Sequence, residues 1–251
     1  MAFFSLVILG LVQGLTEFLP VSSSGHLVLL SRVFGIEDSL FVSIILHVAT
    51  LLSVLTVLRS ELWALVRHPF SPYSRKVIYA TIPTCFIVLI LYPFITDVFE
   101  GAILPICFLL TAILLLFTDF FAKKNSLKPL SNKHALIMGA LQGLATLPGI
   151  SRSGSTIAAG VLSGGNREEV AKFSFIMSIP IIILSLILEI YKLSTSQTAI
   201  NVNVLGLIVG FICAYIVGVV SIKFMIKLTQ KLNFKYFAIY LVLIAIVAAI
   251  V

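Results

Sequence analysis

Long apolar runs separated by short polar and charged breaks make up this sequence. A helix that crosses a bilayer needs about 20 predominantly apolar residues. The runs predict six membrane-spanning helices, at Ser39–Leu58, Val77–Ile95, Ile103–Phe121, Val170–Ile190, Val204–Met225 and Tyr236–Val251. The last run is short and crosses a bilayer only if the side chains at its ends snorkel to the interface.

Two further apolar stretches, Ala2–Gly35 and Ala135–Gly164, are interrupted in the middle by Pro, Gly and Ser. Cationic residues flank the second stretch on both sides, with Lys133 before it and Arg167 after it. Because both flanks then lie on the cytoplasmic side, the stretch must enter and leave the membrane through the same face. The pattern predicts a re-entrant helical hairpin, and irregular backbone at that depth must be buried in protein or line a wet cavity.

The composition agrees with a membrane protein, since 60% of the 251 residues are hydrophobic and 11% are charged. Soluble domains carry about 25% charged residues. The net charge of +7 is therefore interpreted as the cationic bias of cytoplasmic loops. Since no basic patch is interleaved with aromatic residues, we expect no nucleic-acid partner.

The loop charges predict an orientation, because cytoplasmic loops are enriched in Lys and Arg. Three cationic loops are predicted to be cytoplasmic, and they contain Arg59, Arg67, Arg75 and Lys76, then Lys123, Lys124, Lys128 and Lys133, then Lys223, Lys227, Lys231 and Lys235. The stretches near Glu37–Asp38, Asp97–Glu100 and Ser194–Asn203 lack Lys and Arg and are predicted to be outside.

The two broken stretches align without a gap when the chain is shifted by 129 residues. The segment "ILGLVQGLTEFLPVSSSGH" then meets "IMGALQGLATLPGISRSGS". Chance similarity between apolar helices would match Leu and Ile, but not polar residues at fixed offsets. The identical pairs are Ile8/Ile137, Gly10/Gly139, Gln13/Gln142, Gly14/Gly143, Leu15/Leu144, Ser22/Ser151, Ser24/Ser153 and Gly25/Gly154.

Because each half contains an odd number of spans, the two halves are predicted to have opposite orientations in the membrane. Each half contains one hairpin and three spans, so the second half inserts upside down relative to the first. The predicted fold is an all-α polytopic membrane protein with an inverted-topology repeat, six transmembrane helices and two re-entrant hairpins. It forms one domain over residues 1–251, with repeats at about 1–124 and 130–251. Inverted repeats place broken helices and their N-termini at a shared site near the midplane.

The predicted meeting of the two hairpins would form an anion site. Pro20 ends the first helix of the first hairpin, Ser22–Gly25 forms its turn, and a second helix begins near Ser24. Helix N-termini bind anions, and the guanidinium of Arg152 has a fork suited to phosphate. The candidate phosphate-binding residues are Arg152, Ser22, Ser24, Gly25, Ser151, Ser153 and Gly154. For the four serines the favoured interpretation is helix capping with incidental phosphate contact.

Glu17 would repel a phosphate unless a cation lies between them. Gln13 and Glu17 share one helix face, so both are candidate metal ligands, and oxygen ligands favour Mg²⁺ or Ca²⁺. Ser23 and His26 are candidates for nucleophile and proton carrier. Two alternatives stay open: His26 as the nucleophile, and Glu17 orienting water directly.

The motifs "QGLTEFLPVSSSGH" and "LPGISRSGST" resemble the two signature motifs of the undecaprenyl-diphosphatase family, the bacitracin-resistance membrane phosphatases. The segments "KFSFIMSIP" and "FAIYL" also look like stretches of that family. The resemblance implies a hydrolase that removes the terminal phosphate of a long polyprenyl diphosphate with a divalent cation. It thereby recycles the lipid carrier of peptidoglycan synthesis, which supports cell shape and antibiotic resistance. The resemblance implies that Glu17, Ser23, His26 and Arg152 are catalytic residues. It also implies Glu17 as a metal ligand, and the role of Gln13 as a second ligand is the least certain of these assignments.

The resemblance and the hairpin parity together imply a location and partners. We expect a multi-pass protein of the bacterial cytoplasmic (inner) membrane, with the active site facing the periplasm. The partners are the bilayer and the polyprenyl diphosphate, and a homodimer is left open.

Two rival functions share some of these features. A polyprenyl-phosphate transporter would use the same inverted-repeat fold, but it would not need Glu17, Ser23 and His26 together. The other membrane lipid-phosphatase superfamily also has a Ser-Gly-His run, but it requires a second histidine that does not follow Arg152 here. Of the remaining ionisable residues, His47 is expected to be a packing residue and Glu189 to be interfacial.

Overall fold

The computed structural model describes residues 3–36, 39–98, 103–122, 128–195, 202–231 and 233–250, with no side chains given for 92–98. The described residues are helical apart from turns and one isolated β-bridge between Lys128 and Gly165. The helices are α1 Phe3–Thr16, α2 Ser23–Val33, α3 Ser39–Val57, α4 Arg59–Arg67, α5 Pro72–Val98, α6 Leu104–Phe121, α7 Asn132–Leu144, α8 Arg152–Leu162, α9 Arg167–Thr195, α10 Val204–Lys231 and α11 Lys235–Ile250.

The predicted spans correspond to α3, α5, α6, α9, α10 and α11. The first five of these are long and apolar enough to cross a membrane, whereas α11 has 16 residues and is shorter than a typical span. The chain is thus an all-α, polytopic membrane protein. The sequence pattern missed α4, a nine-residue helix after the first span that buries none of its residues.

The predicted orientation rests partly on residues outside the described ranges. Glu37, Asp38, Phe99, Glu100, Lys123 and Lys124 are among them, as is most of the loop before Asn203. The cytoplasmic and outer assignments of these loops therefore stay predictions.

Both interrupted stretches form the predicted helical hairpins, α1–α2 and α7–α8. Serine caps the second helix of each hairpin by the same contact. The Ser22 side chain accepts the N–H of Gly25 at 3.4 Å, and the Ser151 side chain accepts the N–H of Gly154 at 3.1 Å. Such caps satisfy backbone donors that have no partner within the helix.

Each hairpin packs against a long helix from the other half of the chain: α1 packs against α10, and α7 against α5. The backbones approach so closely that a Cβ built on Gly10 would lie 2.1 Å from the carbonyl oxygen of Gly210. A Cβ on Gly139 would lie 2.1 Å from that of Ala80. Small residues allow this approach between membrane helices. The crossed packing brings the two hairpin turns together in the centre of the protein.

Candidate active site

The two hairpin turns contact each other directly. Ser153 Oγ, in the second hairpin, donates a hydrogen bond to the carbonyl oxygen of Leu19, in the first, at 2.9 Å. A Cβ built on Gly25 would lie 3.1 Å from the Cα of Gly149. The predicted meeting of the two motifs is therefore present among the described residues.

Glu17 lies at the centre of this junction, with only 2% of its side chain exposed. Ser23 Oγ donates a short hydrogen bond of 2.5 Å to Glu17 Oε2, and Gln13 Nε2 donates to the same oxygen at 3.0 Å. A buried carboxylate is costly unless it is paired and hydrogen-bonded. The carboxylate is also positioned to accept a proton from the Ser23 hydroxyl.

Arg152 completes the pairing from the second hairpin. Its Nη2 forms an ion pair with Glu17 Oε1, and its side chain is 21% exposed. Arg152 is the first residue of α8, directly after the capping Ser151. The guanidinium therefore adds its charge to the positive end of the α8 dipole.

A cavity of about 150 Å³ opens beside this cluster. It is bordered by the N-terminal ends of both α2 and α8, so two helix dipoles favour an anion within it. Six of the residues predicted from the sequence line it: Glu17, Ser22, Ser23, Ser24, Ser151 and Arg152.

Four predicted site residues lie behind the cavity wall. Gln13 is fully buried and contacts Glu17 from behind. Ser153 is bonded to Leu19, while Gly25 and Gly154 donate their N–H groups to the capping serines. Their contacts support the walls, in agreement with the capping interpretation for Ser22 and Ser151.

The structure does not bring His26 into the cavity. The ring is buried against α6 and α11, with Nδ1 2.7 Å from the carbonyl oxygen of Ser22 and Nε2 2.7 Å from the hydroxyl of Tyr240. Both ring nitrogens are thus occupied by partners other than Ser23.

His47 and Glu189 line the cavity, although the sequence analysis assigned them packing and interfacial places. His47 Nε2 lies 3.7 Å from Glu17 Oε2, and Glu189 lines the same cavity. The interfacial expectation for Glu189 stays a prediction, and the structure adds that the residue lines the cavity. The available signal was that ionisable residues within membrane helices are functional by default.

His47 and Glu189 also line a second, larger cavity of about 700 Å³. It extends past Ser43 and Ser31 to Arg32 at the last turn of α2. Because the two cavities share wall residues, they lie next to each other, and the larger one extends from His47 towards the end of α2.

The donor set near Glu17 fits one hard cation that is shared with a ligand. Within the described residues no three His, Cys, Asp or Glu side chains cluster as a metal site. The Oε1 atom of Gln13 is buried without a hydrogen-bond partner. Exchanging the amide oxygen and nitrogen would replace the Nε2 hydrogen bond to Glu17 by an oxygen beside Glu17 Oε2, and a cation between the two oxygens would require that exchange. Mg²⁺ is commonly held by one or two carboxylates together with water and substrate phosphate oxygens.

Comparison with known proteins gives one consistent family. The family described as bacitracin resistance protein BacA matches residues 6–247. Curated relatives named undecaprenyl-diphosphatase match nearly end to end. The protein of Parabacteroides distasonis is 39% identical over 251 residues, covering 96% of this chain and 94% of the relative. The protein of Bacteroides fragilis is 39% identical over 262 residues, covering 100% and 98%.

A relative from Carboxydothermus hydrogenoformans is 39% identical over 244 residues, covering 94% of this chain and 92% of the relative. Identity at this level over full length shows common descent and a common fold. This chain belongs to the bacitracin resistance protein BacA family.

Proposed function

We propose that this protein hydrolyses undecaprenyl diphosphate to undecaprenyl phosphate and inorganic phosphate. The observation that carries the proposal is the buried Glu17, hydrogen-bonded to Ser23 from one hairpin and ion-paired with Arg152 from the other. The shared name and full-length match of the curated relatives support the same activity.

The fold that we propose for this activity is the inverted repeat, with six crossings and two re-entrant hairpins. The crossed packing of α1 on α10 and α7 on α5 supports it. Gly10 and Gly139, which mark the closest approach in each pair, occupy equivalent positions in the 129-residue repeat.

The diphosphate headgroup enters the cavity while its prenyl tail stays in the lipid. Arg152 binds the phosphate oxygens through its planar fork. The N-termini of α2 and α8 add favourable dipoles. Together they counter the negative charge of Glu17 and hold the terminal phosphorus near Ser23.

The first chemical step transfers the terminal phosphoryl group to Ser23. Glu17 takes the hydroxyl proton, Oγ forms a bond to the terminal phosphorus, and the bridging P–O bond breaks. The electron pair of that bond leaves with the polyprenyl phosphate. Phosphoryl transfer depends chiefly on positioning and charge stabilisation, which the 2.5 Å contact and Arg152 supply.

The second step returns Ser23 to its free form. Glu17 first passes the proton that it took from Ser23 to the departing polyprenyl phosphate. Water then attacks the phosphoserine and gives a proton to Glu17. As the Oγ–P bond breaks, its electron pair returns to Oγ, Glu17 gives this proton back to Oγ, and inorganic phosphate leaves. In the alternative route Glu17 activates water against the diphosphate directly. A route with His26 as nucleophile is disfavoured by the partners on both of its ring nitrogens.

The divalent cation implied by the family would be held by Glu17 and Gln13. When bound, it would neutralise charge on the phosphate oxygens. Gln13 would then contact the cation through its amide oxygen instead of donating a hydrogen bond to the Glu17 carboxylate.

The proposed setting is the bacterial inner membrane with the cavity open to the periplasm. The larger cavity supports this, because it leads towards the start of α3, next to a loop predicted to be outside. Product phosphate would leave through the larger cavity, while the lipid product leaves sideways.

The test is phosphate release from undecaprenyl diphosphate by the purified protein in detergent with Mg²⁺. We expect turnover by the wild type and a loss of about a thousandfold or more in Glu17→Gln. Glu61→Gln, at a half-buried residue of α4 that pairs with Lys172 and lines neither cavity, is the matched control and should keep wild-type activity. Transport of the lipid in vesicles without phosphate release would favour a carrier and contradict the proposal.

A further inference from the structure

The pair formed by the buried His26 and Tyr240, which is 40% exposed, has no part in the chemistry described above. The two rings stack with an interplanar angle of 6° and centroids 5.6 Å apart. Phe108 of α6 closes the other side with an edge contact at 5.5 Å. The pair therefore fixes the imidazole between α2, α6 and α11.

The hydrogen bonds select one tautomer of His26. The carbonyl oxygen of Ser22 can only accept, so Nδ1 must carry the proton. Nε2 then has a lone pair that accepts the hydroxyl proton of Tyr240 at 2.7 Å. This arrangement leaves no nitrogen for the Ser23 proton.

The backbone that His26 holds is an unusual one. Ser22 has φ 68°, the positive-φ conformation that non-glycine residues rarely adopt. Such conformations persist when surrounding contacts over-determine them. The residue that follows is Ser23, whose Oγ contacts Glu17, so the bond from His26 to the Ser22 carbonyl lies next to the nucleophile in the chain.

The second hairpin has an equivalent support. Thr111 Oγ1, on α6, accepts a hydrogen bond from the backbone N–H of Ser151 at 3.1 Å. The same hydroxyl donates to the carbonyl oxygen of Gly149 at 3.1 Å. Thr111 and Tyr240 are equivalent under the 129-residue shift that matches Ser22 with Ser151. In each half, a hydroxyl from the third long helix contacts the opposite hairpin. Thr111 bonds the turn directly, whereas Tyr240 bonds the ring of His26, which in turn bonds Ser22.

We propose that Tyr240 and His26 are positioning residues, a clamp that holds the strained turn at Ser22 and thereby aims Ser23 at Glu17. This proposal rests on the proposed hydrolysis only in one respect: its kinetic test measures phosphate release. It differs from the sequence expectation that His26 carries a proton.

Kinetics of three variants test the clamp. Tyr240→Phe should lower kcat about three- to tenfold with KM nearly unchanged, as expected for one lost hydrogen bond. His26→Asn places an amide N–H where Nδ1–H stood, so it should keep kcat within about tenfold of the wild type, whereas His26→Leu should lose about a hundredfold or more. If His26 carries a proton, Asn and Leu should be equally inactive.

The matched control is Tyr236→Phe, which removes a hydroxyl from a tyrosine of the same helix that is 64% exposed. It should keep the wild-type kcat. A thermal unfolding curve for each variant shows whether a loss of activity follows a loss of folded protein. Wild-type kcat in folded Tyr240→Phe would overturn the clamp.

A spectroscopic measurement is independent of turnover. With ¹⁵N-labelled histidine, the signal that disappears in His26→Asn identifies His26 among the four histidines of the chain. We expect the Nδ1–H tautomer and a changed Nε2 shift in Tyr240→Phe but not in Tyr236→Phe. An Nε2–H tautomer would overturn the clamp. If the wild type releases no phosphate, the proposed function fails while this readout still decides the clamp.

Discussion

Arg152 and the buried Glu17 form an ion pair although 135 residues separate them in the chain. Each belongs to a different hairpin, and each hairpin packs on a long helix from the other half. The acidic and the cationic parts of the site therefore come together only in the folded protein.

Arg152→Lys should reduce kcat/KM about a hundredfold. Lysine keeps the charge beside Glu17, but an ammonium lacks the planar fork that binds two phosphate oxygens. Steady-state phosphate release measures the effect, and Arg67→Lys on the exposed α4 is the control. Near-normal kcat/KM would contradict phosphate binding by the guanidinium.

Ser23→Ala should lower kcat about a thousandfold or more, because it removes the nucleophile that contacts Glu17. The neighbouring Ser24→Ala should keep activity within about tenfold, since a lost cavity hydroxyl costs one neutral hydrogen bond. Acid quenching with labelled substrate should trap phosphate on the wild type but not on Ser23→Ala. Substantial turnover by Ser23→Ala without an adduct would favour direct attack by water.

Removal of divalent cations with a chelator should stop phosphate release, and added Mg²⁺ should restore it. Gln13→Ala should raise the Mg²⁺ concentration needed for half-maximal rate by about tenfold, because it removes a neutral oxygen beside Glu17. Gln142→Ala, at the equivalent position of the second hairpin, is the control and should leave the Mg²⁺ requirement unchanged. An unchanged requirement in Gln13→Ala would remove Gln13 from the metal site.

Gly10→Ala should destabilise the protein by about 3 kcal/mol, because the new methyl group would meet the backbone of Gly210. Thermal unfolding in detergent and the yield of folded protein report the effect. Leu11→Ala, on the same helix at a side chain 40% exposed, should change the unfolding temperature little. Wild-type stability of Gly10→Ala would show that α1 and α10 separate more easily than their packing indicates.

Local patterns were enough to predict both hairpins. The Pro, Gly and Ser interruptions mark the turns, and the repeated serine followed three residues later by glycine marks both helix caps. These features depend on neighbours a few residues apart, so a sequence motif carries them. The meeting of Glu17 and Arg152 was predictable as well, because the repeat relates their two segments.

The contributions of His47, Glu189 and Tyr240 could not be predicted in the same way. Each lies on an apolar span whose rotation about its own axis has no strong sequence signal. Several faces of such a helix are equally apolar, since lipid and protein interior favour the same side chains. The same uncertainty applied to His26, whose ring turns towards α11 and not into the cavity.

By itself the sequence determined the membrane-spanning runs, the two interrupted stretches and the residue types that meet at their turns. The tertiary structure decided which side chains face the cavity, because helix rotation depends on packing between helices distant in the chain. That packing makes Glu17 the centre of the site, places His47 and Glu189 on its wall and turns His26 away from it.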